Sequence, residues 1–236
     1  FRLKYPSVTQ GSIASSAPVT AQTNFPEYMD VVGQSIIHFA GQPCFDAFEA
    51  AANQVAAYAQ AHDYTRLSTD FATCSKIEST NDLKVLLGDL MGNVQGTIQY
   101  NNEHSGVLNV TDICATMTQS TDYYANFVAL QAIYRGANGQ DCEDASWADT
   151  VAYLSNPAKD STNAGRPWTY QTCNEFGYFQ TADSQVRMRT FLYPSRVRAA
   201  FVLIFHAQVS TFVVSLSRSS LYLCCFTLAL MPQFYS

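Results

Sequence analysis

Between about residue 25 and about residue 155 no run of alternating apolar and polar residues occurs, and apolar side chains recur instead at intervals of three and four. That spacing belongs to helices with one buried face, so roughly 130 consecutive residues are expected to fold as packed helices. The first helix is predicted from Phe25-Pro26 to Gly41, with Tyr28, Val31, Val32, Ile36 and Phe39 inward. The second starts near Pro43, a residue tolerated in a first turn, and buries Cys44, Phe48, Ala51 or Ala52, Val55, and Tyr58 or Ala59. A third, capped by Asn81 or a neighbouring hydroxyl, carries Leu83, Leu86, Leu87, Leu90, Met91 and Val94 on one face. Further helices are predicted over Val110 to Thr118, with Ile113 and Met117 inward, and over Asp122 to Arg135, with Tyr124, Phe127, Val128, Ile133 and Tyr134 inward and Gly136 as the stop. A short one over Ala145 to Leu154 uses Trp147, Val151 and Leu154 before Asn156-Pro157 breaks it.

The flanks read differently. Proline lacks an amide hydrogen and disfavours helical geometry in the residue before it, so a helix through Phe1 to Lys4 is predicted to end at Tyr5. Val8 to Ala14 is short and uncharged and leads into Ser15-Ser16-Ala17-Pro18, which reads as a central parallel strand; Thr20 to Asn24 is a polar connection. A strand there needs neighbours that helices cannot provide. An α/β sheet interrupted by a helical insertion accounts for the order.

A net charge of −6 excludes a nucleic-acid binder, which needs a basic stripe to neutralise phosphates. The seven cysteines have no C-x-x-C spacing and there is no paired-histidine pattern, so disulfides are a better reading than a metal site, and no metal or cofactor is expected. Four cysteines allow three connectivities, and spacing alone does not choose among them. The acids between Asp141 and Asp144 lack the spacing of a calcium loop and read as a solvated loop. Asn109-Val-Thr111 is a glycosylation sequon, and with the cysteines it points to an oxidising compartment: secretion or the lysosomal lumen. No leader sequence is visible at Phe1, so an N-terminal part is expected to be missing.

Two segments carry a family likeness. Phe1-Arg-Leu-Lys-Tyr-Pro6 with Gly11-Ser-Ile-Ala-Ser-Ser-Ala-Pro-Val19 is the first; the second is Arg166-Pro-Trp-Thr-Tyr-Gln-Thr-Cys-Asn-Glu-Phe-Gly-Tyr-Phe-Gln-Thr181. In this order they resemble the prolyl carboxypeptidase and dipeptidyl peptidase II family of serine peptidases, over roughly residues 1 to 184. The resemblance implies a partial α/β-hydrolase core with a largely helical inserted cap. Residues 1–24 and 161–184 would belong to the core, 25–160 to the cap, and 185–236 to neither. It implies an exopeptidase cleaving next to proline, whose partner is a peptide with proline near the cleaved end. Carboxypeptidase and dipeptidyl peptidase stay open, and so does a homodimer. It also implies the pairings Cys44 with Cys114 and Cys74 with Cys142, leaving Cys173 to a partner the family places downstream. Trp168, Gln171 and Glu175 would line or brace the proline site, although Trp168 and Tyr170 could equally pack the sheet.

Acyl transfer by a serine peptidase needs a serine on a Gly-x-Ser-x-Gly turn, then an aspartate, then a histidine. The sequence has no such turn, no Asp after Asp183, and only His206 in its last segment. By the resemblance the nucleophile precedes Phe1. No catalytic residue is therefore assigned, and the chain by itself is expected to be inactive. His38, at a helix end, and His62 and His104, in polar connections, read as surface histidines. From Gln185 to Ser236 there are five arginines, no lysine and no acid. The apolar runs there are shorter than the ~20 residues a membrane span needs, and the segment reads as aberrant, non-family sequence. The rival reading is a noncatalytic, disulfide-bonded helical binding module, tethered to a membrane by that tail.

Overall fold

A computed structural model describes residues 2–14, 17, 20–103, 108–157 and 165–181. In chain order its elements are β1 (Gln22–Phe25), α1 (Glu27–Ala40), α2 (Gln42–Gln60), α3 (Tyr64–Asp70), α4 (Thr80–Gln99), α5 (Val110–Met117), α6 (Tyr123–Ala137), α7 (Trp147–Ser155), α8 (Gly165–Gln171), a π-helical turn (Thr172–Phe176) and β2 (Gly177–Gln180). The proposed tail, residues 185–236, lies outside the described residues, as does His104.

The helices begin where local chemistry supplies a cap. Ser79 Oγ accepts from the Asp82 amide while the Asp82 carboxylate accepts from the Ser79 amide, a reciprocal box at the start of α4. Asn109 and Asp112 do the same for α5. Asp122 caps α6, Ser146 caps α7, and Asp63 caps α3. The cap of α4 is thus Ser79, a hydroxyl neighbouring Asn81. Helix α3 escapes the periodicity because it is short and buries one side chain, Leu67. Helix α6 runs through Gly136 to Ala137, since a single glycine inside a packed helix costs only about 1 kcal/mol.

The core is aromatic at its centre. Phe48 of α2, Phe127 of α6 and Phe71, just after α3, meet edge to face, with Phe48–Phe127 centroids 6.4 Å apart and Phe71–Phe127 6.0 Å. Leu86, Leu87 and Leu90 of α4, Ile113 and Met117 of α5 and Leu130 of α6 are fully buried around them. Each such side chain contributes roughly 1.5–3 kcal/mol by leaving water. The predicted α2 and α4 stripes are the buried ones. In α1 the buried line is Met29, Val32 and Ile36, whereas Val31 and Phe39 are 61% and 59% exposed. Both had been expected inward; α1 packs on α2, α4 and α5 through the other line. Ile133 of α6, also expected inward, is exposed, because α6 turns Phe127, Leu130, Gln131 and Tyr134 toward its neighbours instead.

The N-terminal expectations are corrected. Arg2 to Lys4 form turns rather than a helix, with Leu3 fully exposed; a few residues without a packing surface cannot sustain a helical nucleus. Val8 to Ala14 is not a strand either, and Val8 and Ile13 are 69% and 99% exposed. The strand lies further on, in what was read as a connection. β1 pairs in parallel with β2, with Gln22 opposite Gly177, Asn24 opposite Phe179 and Phe25 opposite Gln180. The sequence Gln-Thr-Asn-Phe has no alternation to announce it, because the ladder is made by backbone. Among the described residues between the two strands there is no further strand, only an isolated bridge between Thr73 and Glu143. The helical excursion therefore leaves from one strand and returns to its parallel neighbour.

Candidate functional site

The segment from α8 to β2 holds the three residues predicted to meet substrate. Trp168 and Gln171 are three apart on α8 and so neighbours on its surface, and Glu175 follows in the π-helical turn. All three are exposed, Trp168 by 52%. The side chains of Gln171 and Glu175 make no hydrogen bond among the described residues.

An aromatic row fixes the Trp168 ring. It packs on Phe176 with centroids 5.8 Å apart; Phe176 continues to Tyr178 at 6.3 Å, and Tyr178 meets Phe25 of β1 edge to face at 5.2 Å. The Tyr178 hydroxyl donates to the Thr20 carbonyl, and Thr181 Oγ1 donates to Asn24 Oδ1 at 2.6 Å. At the other end Arg166 Nε donates to the Leu154 carbonyl at 2.8 Å, holding α8 to α7. Inside the turn, Thr172 Oγ1 donates to the Thr169 carbonyl and Asn174 Nδ2 to the Tyr170 carbonyl. The return segment is thus tied both to the helical bundle and to the strand pair. One face of it remains open.

No nucleophile and base are brought together among the described residues. The His38 ring packs on Phe39 at 4.9 Å, and His62 Nδ1 lies 2.8 Å from the Tyr64 hydroxyl; neither is hydrogen bonded to a serine. Among the same residues no group of three or more acids, histidines or cysteines could hold a metal ion, and no helix is long and apolar enough to cross a membrane.

The cysteine pairs are Cys44–Cys114 and Cys74–Cys142, those the resemblance implied. The first ties the start of α2 to α5; the second ties the loop after α3 to the loop after α6. Cys173 is buried in the π-helical turn. Asn109 stands at the start of α5.

Beside the second bridge lies a polar cluster that sequence reasoning missed. Glu143, expected in a solvated loop, is 5% exposed because the backbone on either side of it is clamped: its amide donates to the Ala72 carbonyl and its carbonyl accepts from the Cys74 amide. Arg135 Nη1, itself buried, donates to the Phe71 carbonyl at 3.0 Å and stands 3.8 Å from Glu143 Oε2, which has no hydrogen bond. Burial pushes the Glu143 carboxyl up, Arg135 holds it down and Asp144 adds to the rise, with a net upward shift. Asp89 of α4 is pushed up to about 7, first by desolvation and then by Glu143 and Asp144. The only hint in the sequence was an arginine at a helix end, close along the chain to a cysteine whose bridge draws its neighbour inward.

A family described as Serine carboxypeptidase S28 matches residues 1–211, continuing past residue 184 into the segment of altered composition. The thymus-specific serine protease of Mus musculus is 33% identical over 195 residues, covering 77% of this chain and 38% of that protein. The human thymus-specific serine protease is 32% identical over 199 residues, 78% of this chain and 38% of its own. A putative serine protease of Caenorhabditis elegans is 26% identical over 197 residues, again 78% and 38%. The chain therefore spans under two-fifths of the length of these relatives. No solved structure matches it.

Proposed function

The chain belongs to the serine carboxypeptidase S28 family, and from that membership we propose that it is part of a serine-type exopeptidase that cleaves next to proline. The observation that carries this reading is the family match over residues 1–211. In it, residues 25–160 form a helical cap inserted in an α/β-hydrolase core, to which 1–24 and 161–184 contribute. A parallel strand pair that brackets a long helical excursion supports that arrangement.

Trp168, Gln171 and Glu175 are proposed to line the proline site. An exposed indole held on Phe176 offers a flat face to a pyrrolidine ring, and Gln171 and Glu175 are unengaged polar groups beside it. Hydrolysis is proposed to need residues beyond these 236, since neither described histidine has a serine partner and no Asp follows Asp183. The two disulfides support an oxidising location, the secretory route or the lysosomal lumen.

The test expresses the chain as given and as the whole transcript encodes it, and treats both with a serine-reactive fluorophosphonate. Both are then incubated with peptides bearing proline next to either terminus. Labelling and proline-adjacent cleavage by the longer product alone agree with the proposal. A longer product that neither labels nor cleaves overturns it. In the active form, Trp168→Ala should raise KM for proline peptides by about tenfold, the worth of a lost ring contact.

A noncatalytic helical binding module remains the second reading. Both disulfides and nearly all of the hydrophobic core lie within residues 25–160, so that part has the means to fold without a sheet. A transcript that begins and ends as the chain does would favour it.

A further inference from the structure

We propose that Asn109 carries an N-linked oligosaccharide while also capping α5, the two tasks being divided between the two ends of its side-chain amide. The cap uses oxygen: Asn109 Oδ1 accepts from the Asp112 amide at 3.1 Å, and Asp112 Oδ2 accepts from the Asn109 amide at 3.0 Å. Val110 donates its own amide to Asn101 Oδ1 at 3.1 Å, which fixes the backbone next to the acceptor. The nitrogen is left over. Asn109 Nδ2 makes no hydrogen bond among the described residues, and Nδ2 is the atom that an N-glycan occupies.

The three residues of the sequon are sorted by burial. Val110 is 1% exposed and packs in the core, Thr111 is exposed on the first turn, and Asn109 is half-buried at the mouth of the helix. The middle residue is not proline, as the acceptor pattern requires. Four residues beyond Val110, Cys114 is bridged to Cys44, so the same short helix carries a mark of an oxidising lumen. The donor is a polyprenyl-diphosphate-linked oligosaccharide of the secretory route. Nδ2 forms a bond to sugar C1, the C1–oxygen bond to the diphosphate breaks, the diphosphate leaves with the electron pair, and one amide proton passes to a base of the transferring enzyme. This inference rests on the reading that the protein enters the secretory route.

Because the transfer consumes a hydrogen on Nδ2 and leaves Oδ1 untouched, the cap survives it. Enzymatic removal converts the residue to aspartate, whose carboxylate caps a helix as well as asparagine does and is favoured at the positive end of the helix.

The test expresses the whole chain behind a cleavable secretion leader in a human cell line, digests the secreted protein with peptide-N-glycosidase and maps residue 109 by tandem mass spectrometry. The expected result is one increase in gel mobility and an aspartate at position 109 after digestion. Both should be lost in Thr111→Ala, which leaves every cap atom in place, and in Asn109→Asp. The thermal midpoint should be unchanged by digestion and lowered by Asn109→Ala. An unmodified Asn109 in secreted protein with both bridges formed overturns the site while leaving the location reading intact; protein in which the bridges never form overturns both. Digestion that lowers the midpoint as far as Asn109→Ala does overturns the division of tasks.

Discussion

Gly177 lies so close to Gln22 that a β-carbon on it would overlap the Gln22 carbonyl oxygen. Its backbone has φ 74° and ψ −109°, a conformation that side-chain-bearing residues rarely adopt. The close approach is what lets β2 begin its ladder with β1 at the pair Gln22–Gly177. Gly177→Ala should therefore cost about 1–3 kcal/mol in backbone strain alone. The β1 amides should lose their protection in hydrogen exchange, while those of α2 and α4 keep theirs. Unchanged protection in β1 would show that the approach is not needed for pairing.

The disulfides span sequence separations of 70 and 68 residues, and the two loops overlap. By the loop-entropy argument each bridge stabilises the helical unit by about 4 kcal/mol. Replacing Cys74 and Cys142 together by alanine should lower the urea midpoint accordingly without changing the Cys44–Cys114 pairing in a non-reducing peptide map. A map showing Cys44 joined elsewhere would mean that the second bridge directs the first.

How much of this was legible in the sequence depended on which force placed each residue. The α4 face from Leu83 to Val94 could be read because burial of apolar surface alone fixes it, and local hydrogen-bond chemistry announced its cap as a hydroxyl beside Asn81, which is Ser79. β1 could not be read, because its four residues are placed by a backbone ladder with a strand more than a hundred residues away. Val31 and Phe39 were misplaced because α1 has apolar residues on two sides, and only packing partners decide which side turns inward. Glu143 was misplaced for a similar reason: its burial follows from the Cys74–Cys142 bridge and the Thr73 bridge, neither of which is local in sequence. At the candidate site, the motif gave Trp168, Gln171 and Glu175 as neighbours, but not the row through Phe176 and Tyr178 that holds the indole.

Asp89 should make the protein more stable in acid than at neutral pH. Asp89 is an exposed residue on the surface of α4, so solvent moderates the effect, but desolvation of its carboxyl group, then the charges of Glu143 and Asp144, pushes its pKa up to about 7. An unfolded aspartate titrates near ~3.9. Between those values the folded state holds a proton that the unfolded state has lost, so stability falls as pH rises through that window. Asp82 is shifted the other way: burial raises it, but bonds from Ser79, Trp147 and Glu78 outweigh that, and its contribution is lost only as pH falls below the ordinary aspartate range. The thermal midpoint should thus be higher at pH 5 than at pH 7.5, and Asp89→Asn should shrink the difference. An unaltered difference in that variant would assign the slope to Glu143 alone.

Arg135 and Glu143 give the sharper version of the same argument, because both are buried and the arginine is the only cation within ion-pair reach of the carboxylate among the described residues. Removing one partner of a buried pair leaves the other charged and desolvated, which typically costs about 3–5 kcal/mol. Arg135→Ala also orphans the Phe71 carbonyl, which accepts from Nη1. The loss should depend on pH in a definite direction. Arg135 is what holds the Glu143 carboxyl down, so without it that pKa rises further, and in acid the residue escapes the penalty by taking up a proton. Urea unfolding of Arg135→Ala should therefore show a larger deficit at pH 7.5 than at pH 5. Adding Glu143→Gln should recover most of the deficit at pH 7.5 and little at pH 5. A deficit that is equal at both pH values, and untouched by Glu143→Gln, would place the worth of Arg135 in its bond to Phe71 rather than in the ion pair.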